Sequence, residues 1–394
     1  MKTKVLLFII IMFISTISSF GQNGQDGNIA WVITDSTLVL TGTGEMKDYD
    51  YDSNKAPWYP HRAIIKHAVT GDSLTSIGQS AFALCSILTD IELGSSIASI
   101  GNNSFLGCRK LSGINIPNSL ESIGSLAFGA CSSLTEINIP DKVTIIGEGA
   151  FSGCSGLKSI NIDINNIIYK DNGGIVYSKD ETELLIYPAG IEDTTFTVPD
   201  NVASIGYGAF INCGNLKNII ISDGVATVEK EAFYNCENLK TVKIPNSVTV
   251  IGDKAFQYCR SLITVEVNWQ HPVSVSSGMF LASSAANATL IVPTGTKNAY
   301  ETADVWKDFG SIIESETTGN DKISAKNVNV TVLNGVLLVD SPCSEMVNVF
   351  SVSGLLVSSF MKVGGVSTFS VSSLPNGIYI VTGSKGWQAK VSKR

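Results

Sequence analysis

A 23-residue repeat restricts the fold of this chain more than any other feature. Each copy begins with Ile-Gly or its equivalent, and the starts are Ile77, Ile100, Ile123, Ile146, Ile205, Val228 and Ile251. Every copy has Phe at its sixth position, Cys at its ninth and Leu at its twelfth, as in Phe128, Cys131 and Leu134. Such a period predicts a solenoid, in which each rung buries its apolar side chains against neighbouring rungs.

Each repeat also contains a short segment with the alternation of a β-strand. In the copy around Ile137, the side chains of Ile137 and Ile139 are predicted to point inward, while Glu136 and Asn138 face solvent. The few large apolar side chains of one rung cannot offset the entropy that is lost when the whole rung becomes ordered. A rung therefore needs neighbours, and both ends of the stack need caps.

The Ala-Phe-x-x-Cys segment of each repeat is predicted to return the chain across the core as a short helix or a tight turn. Seven of the eight cysteines recur at one repeat position, which predicts a column of inward thiols. Neighbouring rungs lie about 4.8 Å apart, whereas disulfides need Cβ atoms about 3.8 Å apart. We therefore expect reduced cysteines that act as small apolar side chains. Disulfide bridges and a metal site are the alternatives, although no His stands at ligand spacing.

The composition limits the classes of partner. Hydrophobic residues make up 44% of the chain and charged residues only 16%, which is sufficient for a core and argues against disorder. The net charge of −8 disfavours nucleic acid or an anionic membrane as a partner that is bound through charge.

The first residues have the pattern of a secretory signal peptide. Lys2 and Lys4 precede an apolar run from Val5 to Ile17, and small residues before Gln22 suit cleavage, so residues 1–21 are predicted to be removed. The run is too short to span a bilayer. No later apolar stretch is long enough to do so, and we expect no transmembrane segment in the mature chain.

Residues 22–76 depart from the repeat and are predicted to be the N-terminal cap of the solenoid. Trp31 to Ile33 and Thr37 to Leu40 are predicted strands, joined by a turn at Asp35 and Ser36.

A calcium loop is a second interpretation of part of this cap. Asp48, Asp50 and Asp52 resemble the opening of such a loop, but Ser53 and Tyr59 stand where a turn Gly and a closing Glu belong. We favour a solvated loop.

Residues 77–313 are predicted to hold the repeats, an inserted hairpin rung at about 163–200 and a C-terminal cap. The interval from Ile146 to Ile205 is longer than two repeat periods, and turn signals around Gly173 predict a small β-meander there. Three tyrosines could form an exposed patch or pack over the widened rung, and we favour packing: Tyr169, Tyr177 and Tyr187. A helix from Lys297 to Trp306 is predicted within the C-terminal cap, and three aromatic residues are predicted to close the stack: Tyr300, Trp306 and Phe309.

A polar linker at 314–322 is predicted to separate the solenoid from a second domain at 323–394. About seven short apolar or alternating runs in that domain predict a small antiparallel β-sandwich. Asn334-Gly335 and Asn376-Gly377 are hairpin signals. The predicted fold is thus mostly β with short helical turns, and it combines a solenoid with a β-sandwich.

Two resemblances to known families follow from these motifs. The pattern I-G-x-x-A-F-x-x-C-x-x-L-x-x-I-x-I-P resembles the BspA-type leucine-rich repeats of surface proteins, over about residues 26–313. VFSVSGLLVSSF, LPNGIYIV and the terminal KVSKR resemble the C-terminal sorting domain of the type IX secretion system, over 323–394. The second resemblance implies export to the cell surface or medium and contact with the secretion machinery. An ordinary adhesive β-domain is the alternative.

No pattern of catalytic residues supports an enzyme. The three histidines, His61, His67 and His271, lie in cap regions that are far apart in the sequence, and no metalloprotease, serine-hydrolase or phosphate-loop motif occurs. The sequence therefore predicts no catalytic residues, no cofactor and no bound metal.

The outward strand positions are the candidate binding surface, which we expect to be one continuous sheet face. Its candidate ligand-binding residues are Glu92, Asn115, Asn138, Asn161 and Lys243. Either the asparagine row binds an extended macromolecule, or its amides bond to one another on a solvated face. By resemblance, the ligand is a host matrix protein, a cell-surface protein or a glycan, and the function is recognition or adhesion. A structural surface component and, more weakly, a secreted hydrolase are the alternatives, and the oligomeric state is left open.

Overall fold

The computed structural model describes residues 22–50, 52–315, 329–333, 336–341, 345–351, 355–362, 365–383 and 388–393. The chain divides into two compact units, residues 1–314 and 315–394. The predicted signal peptide lies outside the described residues, as does the predicted linker after Ser315.

The first unit is a solenoid built from short strands. Up to the insertion its strands are β1 (Gln22–Asp26), β2 (Ile29–Thr34), β3 (Thr37–Gly42), β4 (His67–Thr70), β5 (Ser76–Ile77), β6 (Asp90–Glu92), β7 (Ser99–Ile100), β8 (Gly113–Asn115), β9 (Ser122–Ile123), β10 (Glu136–Ile139), β11 (Ile145–Ile146) and β12 (Ser159–Ile162).

The remaining elements of this unit are β13 (Tyr169–Asn172), β14 (Ile175–Ser178), β15 (Glu183–Ile186), β16 (Thr195–Thr197), β17 (Ser204–Ile205), β18 (Asn218–Ile220), β19 (Thr227–Val228), β20 (Thr241–Ile244), β21 (Val250–Ile251), β22 (Thr264–Val267), β23 (Thr289–Val292), the helix α1 (Lys297–Tyr300) and β24 (Ser311–Glu314). We call the rungs up to β12 the first stack and those from β15 onward the second stack.

Each rung contributes one strand to a front side and a two-residue strand to a second side. On the second side the register advances by one full repeat per rung, as in Ile77, Ile100, Ile123 and Ile146. Inward and outward residues alternate on the front, so that Ile137 and Ile139 are buried while Glu136 and Asn138 are exposed. The predicted solenoid with its 23-residue period is confirmed.

The apolar repeat positions form continuous columns. In the first stack, consecutive phenylalanine rings from Phe82 to Phe151 stack with centroids 5.3–5.4 Å apart. In the second stack, the rings from Phe210 to Phe280 stack at 4.8–5.5 Å. Each aromatic pair contributes about 0.5–1.5 kcal/mol beyond the burial of its area. The stacking therefore holds successive rungs in register.

The Ala-Phe-x-x-Cys segment is a tight turn rather than a helix. Residues at the fourth and eighth repeat positions take left-handed backbone conformations, such as Leu126 (φ 53°) with Ala130 (φ 58°), and Lys254 (φ 58°) with Tyr258 (φ 61°). The left-handed residues turn alternate N–H groups parallel to the solenoid axis. The N–H groups of Leu126, Phe128 and Ala130 thus donate to carbonyl groups of the next rung. The bonds to the neighbouring rung hold a conformation that L residues rarely adopt.

The N-terminal cap contains the predicted hairpin. β2 and β3 pair antiparallel around Asp35 and Ser36, which both have positive φ angles. The sequence did not indicate β1, which adds a third antiparallel strand. β3 then pairs in parallel with β4, so the cap sheet continues directly into the solenoid ahead of Ile77.

The insertion is the predicted β-meander. β13, β14 and β15 pair antiparallel, with positive φ angles at Gly173 and Gly174. A degenerate rung follows, in which Tyr187 takes the phenylalanine position: its N–H donates to the carbonyl of Ala209 (2.8 Å) and its ring stacks on Phe210 (4.9 Å). Tyr177 and Tyr187 are buried and Tyr169 is half-buried, which supports packing over an exposed patch.

The prediction of one continuous front sheet is wrong. The front strands form three separate sheets: β1 to β8, then β10 with β12, then β16 to β24. The larger break lies between β12 and β16, because the meander occupies the intervening chain. The apolar core also forms two clusters, and the boundary between them in the sequence falls in β14, between Val176 and Tyr177.

The C-terminal cap has the predicted aromatic closure but a shorter helix than predicted. Tyr300, Trp306 and Phe309 are buried. The α-helix ends at Tyr300, and a 3-10 turn covers Trp306–Asp308. Val305 has φ 70° between the two, which is incompatible with a continuous helix through Trp306. β24 then pairs with β23 at the end of the stack.

The second unit has seven described strands, as the sequence predicted: β25 (Asn329–Leu333), β26 (Val336–Ser341), β27 (Glu345–Ser351), β28 (Leu356–Lys362), β29 (Gly365–Ser370), β30 (Gly377–Gly383) and β31 (Gln388–Lys393). Their antiparallel sheets have the orders β25-β26-β29 and β28-β27-β30-β31. Side chains of both sheets form one core that includes Val339, Val349 and Val381.

One of the two hairpin signals in this unit is confirmed. β25 and β26 pair on either side of residues 334–335, which themselves lie outside the described residues. The hairpin predicted at Asn376-Gly377 is wrong, because β29 and β30 belong to different sheets. The chain there crosses between sheets, and the Tyr379 hydroxyl donates to the carbonyl of Pro375 (2.7 Å).

Candidate functional site

The front face comprises the outward side chains of the front strands. In the first stack one row holds acidic and amide groups, which are Glu92, Asn115, Asn138 and Asn161. The row beside it contains His67 and Asp90, which form an ion pair at 2.7 Å if the imidazole is protonated. Carboxylate and amide groups therefore dominate this part of the face.

The predicted site residues do not form one cluster. Glu92 and Asn115 are neighbours in the first front sheet, whereas Asn138 and Asn161 are neighbours in the second. The Asn161 amide donates to the Asn138 Oδ1 at 2.9 Å, so these two side chains partly satisfy one another. Lys243 lies in the second stack, 3.1 Å from Glu266.

The second stack carries a different front face. One outward row is composed of hydroxyl and amide side chains, which are Thr195, Asn218, Thr241, Thr264, Thr289 and Ser311. Two of its hydrogen bonds join neighbouring rungs: Asn218 donates to Thr195 (3.0 Å) and Ser311 to Thr289 (2.9 Å). The parallel row includes the exposed Ile220 and Ile313. This face is thus less acidic and more apolar than that of the first stack.

A break in the rung-to-rung hydrogen bonds lies where the two stacks meet. The backbone N–H of the repeat phenylalanine donates to the next rung at Phe82, Phe105, Phe128, Phe210, Phe233 and Phe256, with distances of 2.7–2.9 Å. Phe151 is the exception: within the described chain its N–H has no partner, and neither have those of Gly149 and Gly153. The aromatic column also ends at Phe151.

The meander covers the other open edges of the first stack. The carbonyl of Gly174 accepts from the N–H of Ile160 (3.0 Å), and the Asp171 carboxylate accepts from that of Ile162 (2.9 Å). On the second side, the Tyr169 hydroxyl accepts from the N–H of Ile146 (3.1 Å) and donates to the carbonyl of Thr144 (3.2 Å). Two sides of the last rung are therefore covered, while the phenylalanine turn stays open.

A cleft of roughly 200 Å³ occupies this open side. Its lining includes Gly149 and Phe151 of the first stack and Tyr187, Tyr207 and Ile211 of the second. At its margin the Asn212 amide donates to the Ser152 hydroxyl at 2.8 Å and thereby joins the two stacks.

Carboxylates give the cleft a negative character. Glu148 and Glu183 line it, and its lining includes neither Lys nor Arg. Burial and the nearby carboxylates of Glu229 and Asp180 raise the pKa of Glu183. The buried Tyr187 hydroxyl has no hydrogen-bond partner in the described part of the chain.

Sequence reasoning missed this cleft, although a signal was present. The first-stack rung that faces the cleft has glycine at both left-handed positions, Gly149 (φ 60°) and Gly153 (φ 72°). The preceding rung has Leu126 and Ala130 at the same positions. A glycine at both left-handed positions therefore distinguishes the rung before the insertion from the preceding rung.

The cysteine column is confirmed as buried, unbridged thiols. The thiols of Cys108, Cys131 and Cys154 donate to the carbonyl groups of Phe82, Phe105 and Phe128 at 3.0–3.3 Å. Burial raises the pKa of Cys85 and of Cys236 to about 12, which keeps both thiols protonated at neutral pH. Buried protonated thiols are poor nucleophiles and poor metal ligands.

The acidic loop of the N-terminal cap uses its carboxylates for its own backbone. Asp50 accepts from the N–H groups of Asn54 and Asp52 and from the hydroxyl and N–H of Ser53, which lowers its pKa to about 2. Asp48 accepts from the N–H of Gln79 at 2.7 Å. These bonds support the solvated loop. Across the described residues there is no cluster of three potential metal-binding side chains.

No helix in the described part of the chain has the length and apolarity to cross a bilayer.

Comparisons with known proteins identify the repeat family. A profile described as the BspA type leucine rich repeat region matches residues 61–172 and 190–302, more than half of the chain. A leucine-rich repeat protein from Eubacterium ventriosum is 27% identical, with a TM-score of 0.61, over 75% of this chain and 86% of that chain. No curated protein matches the chain.

Two further solved structures are similar at lower identity. The pneumococcal vaccine antigen PcpA is 16% identical, with a TM-score of 0.50, over 76% of this chain and all of that chain (100%). A leucine rich cell surface protein from Faecalibacterium prausnitzii is 19% identical, with a TM-score of 0.48, over 76% and 96%. Together with the 23-residue rungs, the profile match shows that this chain belongs to the BspA-type leucine-rich repeat family.

Proposed function

We propose that the solenoid is a non-catalytic recognition module of an exported protein and that its front face binds a macromolecule at the cell surface or in the medium. The observation that carries this proposal is the regular presentation of outward polar groups, rung after rung, by a rigid stack. Such an array offers many weak contacts over a long distance, which suits a protein or glycan better than a small molecule. The proposed contacts are Glu92, Asn115, Asn138, Asn161 and Lys243.

The break between the stacks refines this proposal. Asn138 and Asn161 form a paired amide unit beside the insertion, while Lys243 belongs to the threonine-rich second stack. A ligand that contacts all of these residues must extend across the break. We propose that the asparagine unit of the first stack is the principal contact, and that the second stack contributes a separate contact.

The binding experiment compares variants of the purified chain on immobilised matrix proteins, mucins and bacterial cells. Asn138→Lys and Asn161→Lys place a cation in the amide row, and each is expected to weaken binding about tenfold. Asn118→Lys is the matched control, because Asn118 is exposed in the turn after β8 rather than on the front face. No saturable binding, or equal loss in the control, would contradict the proposal.

We further propose that residues 1–21 direct export across the inner membrane and that 323–394 is a type IX sorting domain. The described strands of the second unit form a small two-sheet sandwich, which supports a separate domain. The test removes 323–394 and follows the solenoid in cell fractions. Accumulation in the periplasm is expected, and normal surface delivery of the truncated chain would refute the assignment.

A further inference from the structure

The break between the stacks leaves three backbone N–H groups of one rung without the partners that a following rung supplies to most of their equivalents. At Leu126, Phe128 and Ala130 the N–H groups donate to carbonyls at alternate positions of the next rung. The equivalent groups of Gly149, Phe151 and Gly153 have no partner among the described residues. Because Gly149 and Phe151 line the cleft, their donors face the place where the next rung would lie.

This edge of the first stack can pair with an extended backbone segment. Unpaired backbone groups at alternate residues bind another backbone that offers groups at the same interval, as in β-augmentation. In the other regular rungs of the solenoid the next rung supplies those carbonyls, except at the N–H of Lys254. At about 200 Å³ the cleft is smaller than sites for small molecules, which measure about 300–1,000 Å³, but it can receive a side chain.

The residues that line the cleft favour a positively charged ligand side chain. Glu148 and Glu183 contribute carboxylates, and neither forms an ion pair with a described residue. Lys230 lies 3.6 Å from Glu231 and over the ring of Tyr207, a residue of the lining. A Lys or Arg in the cleft would therefore supply the missing positive charge.

We propose that this cleft binds an extended peptide segment of another protein. The segment places backbone carbonyls against the N–H groups of Gly149 and Phe151 and a Lys or Arg side chain beside Glu183 and Glu148. This site is separate from the front face, so it adds a second mode of recognition.

Two octapeptide libraries provide the probes, one with a fixed central Lys and one with a fixed central Glu. Peptides selected on the full chain are expected to come from the Lys library. Gly149→Leu adds a large side chain at a residue that lines the cleft, where its Cβ would lie 3.2 Å from the Leu126 side chain. Leu126 itself shows leucine in the same left-handed conformation (φ 53°). Gly149→Leu and Glu183→Lys are each expected to weaken binding about tenfold or more.

Matched controls separate this site from the fold and from the front face. Asn103→Leu makes a similar change at the equivalent position of an intact rung, where the N–H bonds to Ser125 (2.9 Å), and it is expected to leave peptide binding unchanged. Asn138→Lys is also expected to leave it unchanged, so failure of the front-face proposal is distinguishable from failure of this one. Bound peptide is expected to slow hydrogen exchange at Phe151 and to leave exchange at Phe128 unchanged.

Four outcomes would overturn the proposal. The first is that neither library yields a binder, and the second is that binders do not depend on the central Lys. The third is that binding survives both Gly149→Leu and Glu183→Lys. The fourth is that the Lys peptides do not bind, whereas an oligosaccharide from an array or a second copy of this chain does. Loss of that binding in Gly149→Leu would place it at the cleft.

Discussion

The two stacks of the solenoid have the same interior and different exteriors. Both contain phenylalanine, cysteine and leucine columns, and the ring spacings are closely similar. The front face is rich in carboxylate and amide groups before the insertion, and rich in threonine and isoleucine after it. The comparison teaches that the repeat determines the architecture, whereas the outward positions vary freely enough to give one scaffold two chemically different surfaces.

The largest expected effect tests whether the two cores are energetically separate. Phe128→Ala and Phe233→Ala each remove a fully buried ring and are expected to cost about 3–5 kcal/mol. Because the aromatic column and the core clusters are interrupted, each change should loosen its own stack more than the other. Hydrogen exchange across both stacks measures the effect. Equal loss of protection in both stacks would show one cooperative core.

The next effect concerns the loop that connects the first stack to the meander. Asn166 is fully buried: its amide donates to the carbonyls of Pro140 and Val143, and its Oδ1 accepts from the N–H groups of Ile168 and Tyr169. Asn166→Ala leaves these groups unpaired and is expected to cost about 2–3 kcal/mol in urea unfolding.

The neighbouring Asn165 is exposed and serves as the control for this change. Asn165→Ala should alter the free energy of unfolding by no more than about 0.5 kcal/mol. A similar cost for both substitutions would mean that Asn166 does not fix the meander.

A pH dependence is expected from the buried thiols of both stacks. The pKa values of Cys85 and Cys236 rise from 9.0 to about 12 in the folded chain. Because the folded-state pKa values are raised, the contribution of these thiols to the free energy of unfolding is complete below about pH 9 and is lost between about pH 9 and 12. In that window each thiol should lower the free energy of unfolding by about 1.4 kcal/mol per pH unit.

Denaturant titrations at several pH values measure this slope. The double variant Cys85→Ala and Cys236→Ala should flatten the slope compared with the parent chain. An unchanged slope in the double variant would assign the alkaline loss of stability to other groups.

The smallest effects are expected on the front faces. Lys243→Ala removes an exposed ion pair with Glu266, and Asn161→Ala removes an exposed amide bond to Asn138. Each should change the thermal unfolding free energy by no more than about 0.5 kcal/mol. A cost above about 1 kcal/mol would indicate that the substituted residue has a structural role rather than a role in recognition.

Much of this fold could be predicted because the apolar residues that recur in each repeat identify the buried positions. The columns at Phe128, Cys131 and Leu134, the cap hairpin around Asp35 and the closing Trp306 follow from periodicity and turn residues. The seven strands of the second unit follow from alternation.

Other features depend on hydrogen bonds between distant parts of the chain. The left-handed residues Leu126, Glu231 and Lys254 share no residue type that marks the conformation, since the neighbouring rung enforces it. The α-helix that begins at Lys297 ends before Val305, which has a positive φ angle. Local residue propensities do not indicate this conformation at a valine.

The candidate site was only partly predictable for the same reason. The outward positions of Asn138 and Asn161 follow from strand alternation, and their mutual bond was one of the two interpretations considered. The break in the front face and the cleft at Gly149 arise from how the meander packs, which the spacing alone does not determine. Counting one repeat period on from Ile146 does lead to Tyr169, whose hydroxyl caps that edge.

Backbone hydrogen exchange at the repeat phenylalanines tests the central claim most directly. In the free chain, the account predicts slow exchange at Phe128 and Phe210, whose N–H groups donate to the next rung (2.8 and 2.7 Å), and fast exchange at Phe151. Equal, strong protection at all three residues would contradict an open junction between the stacks.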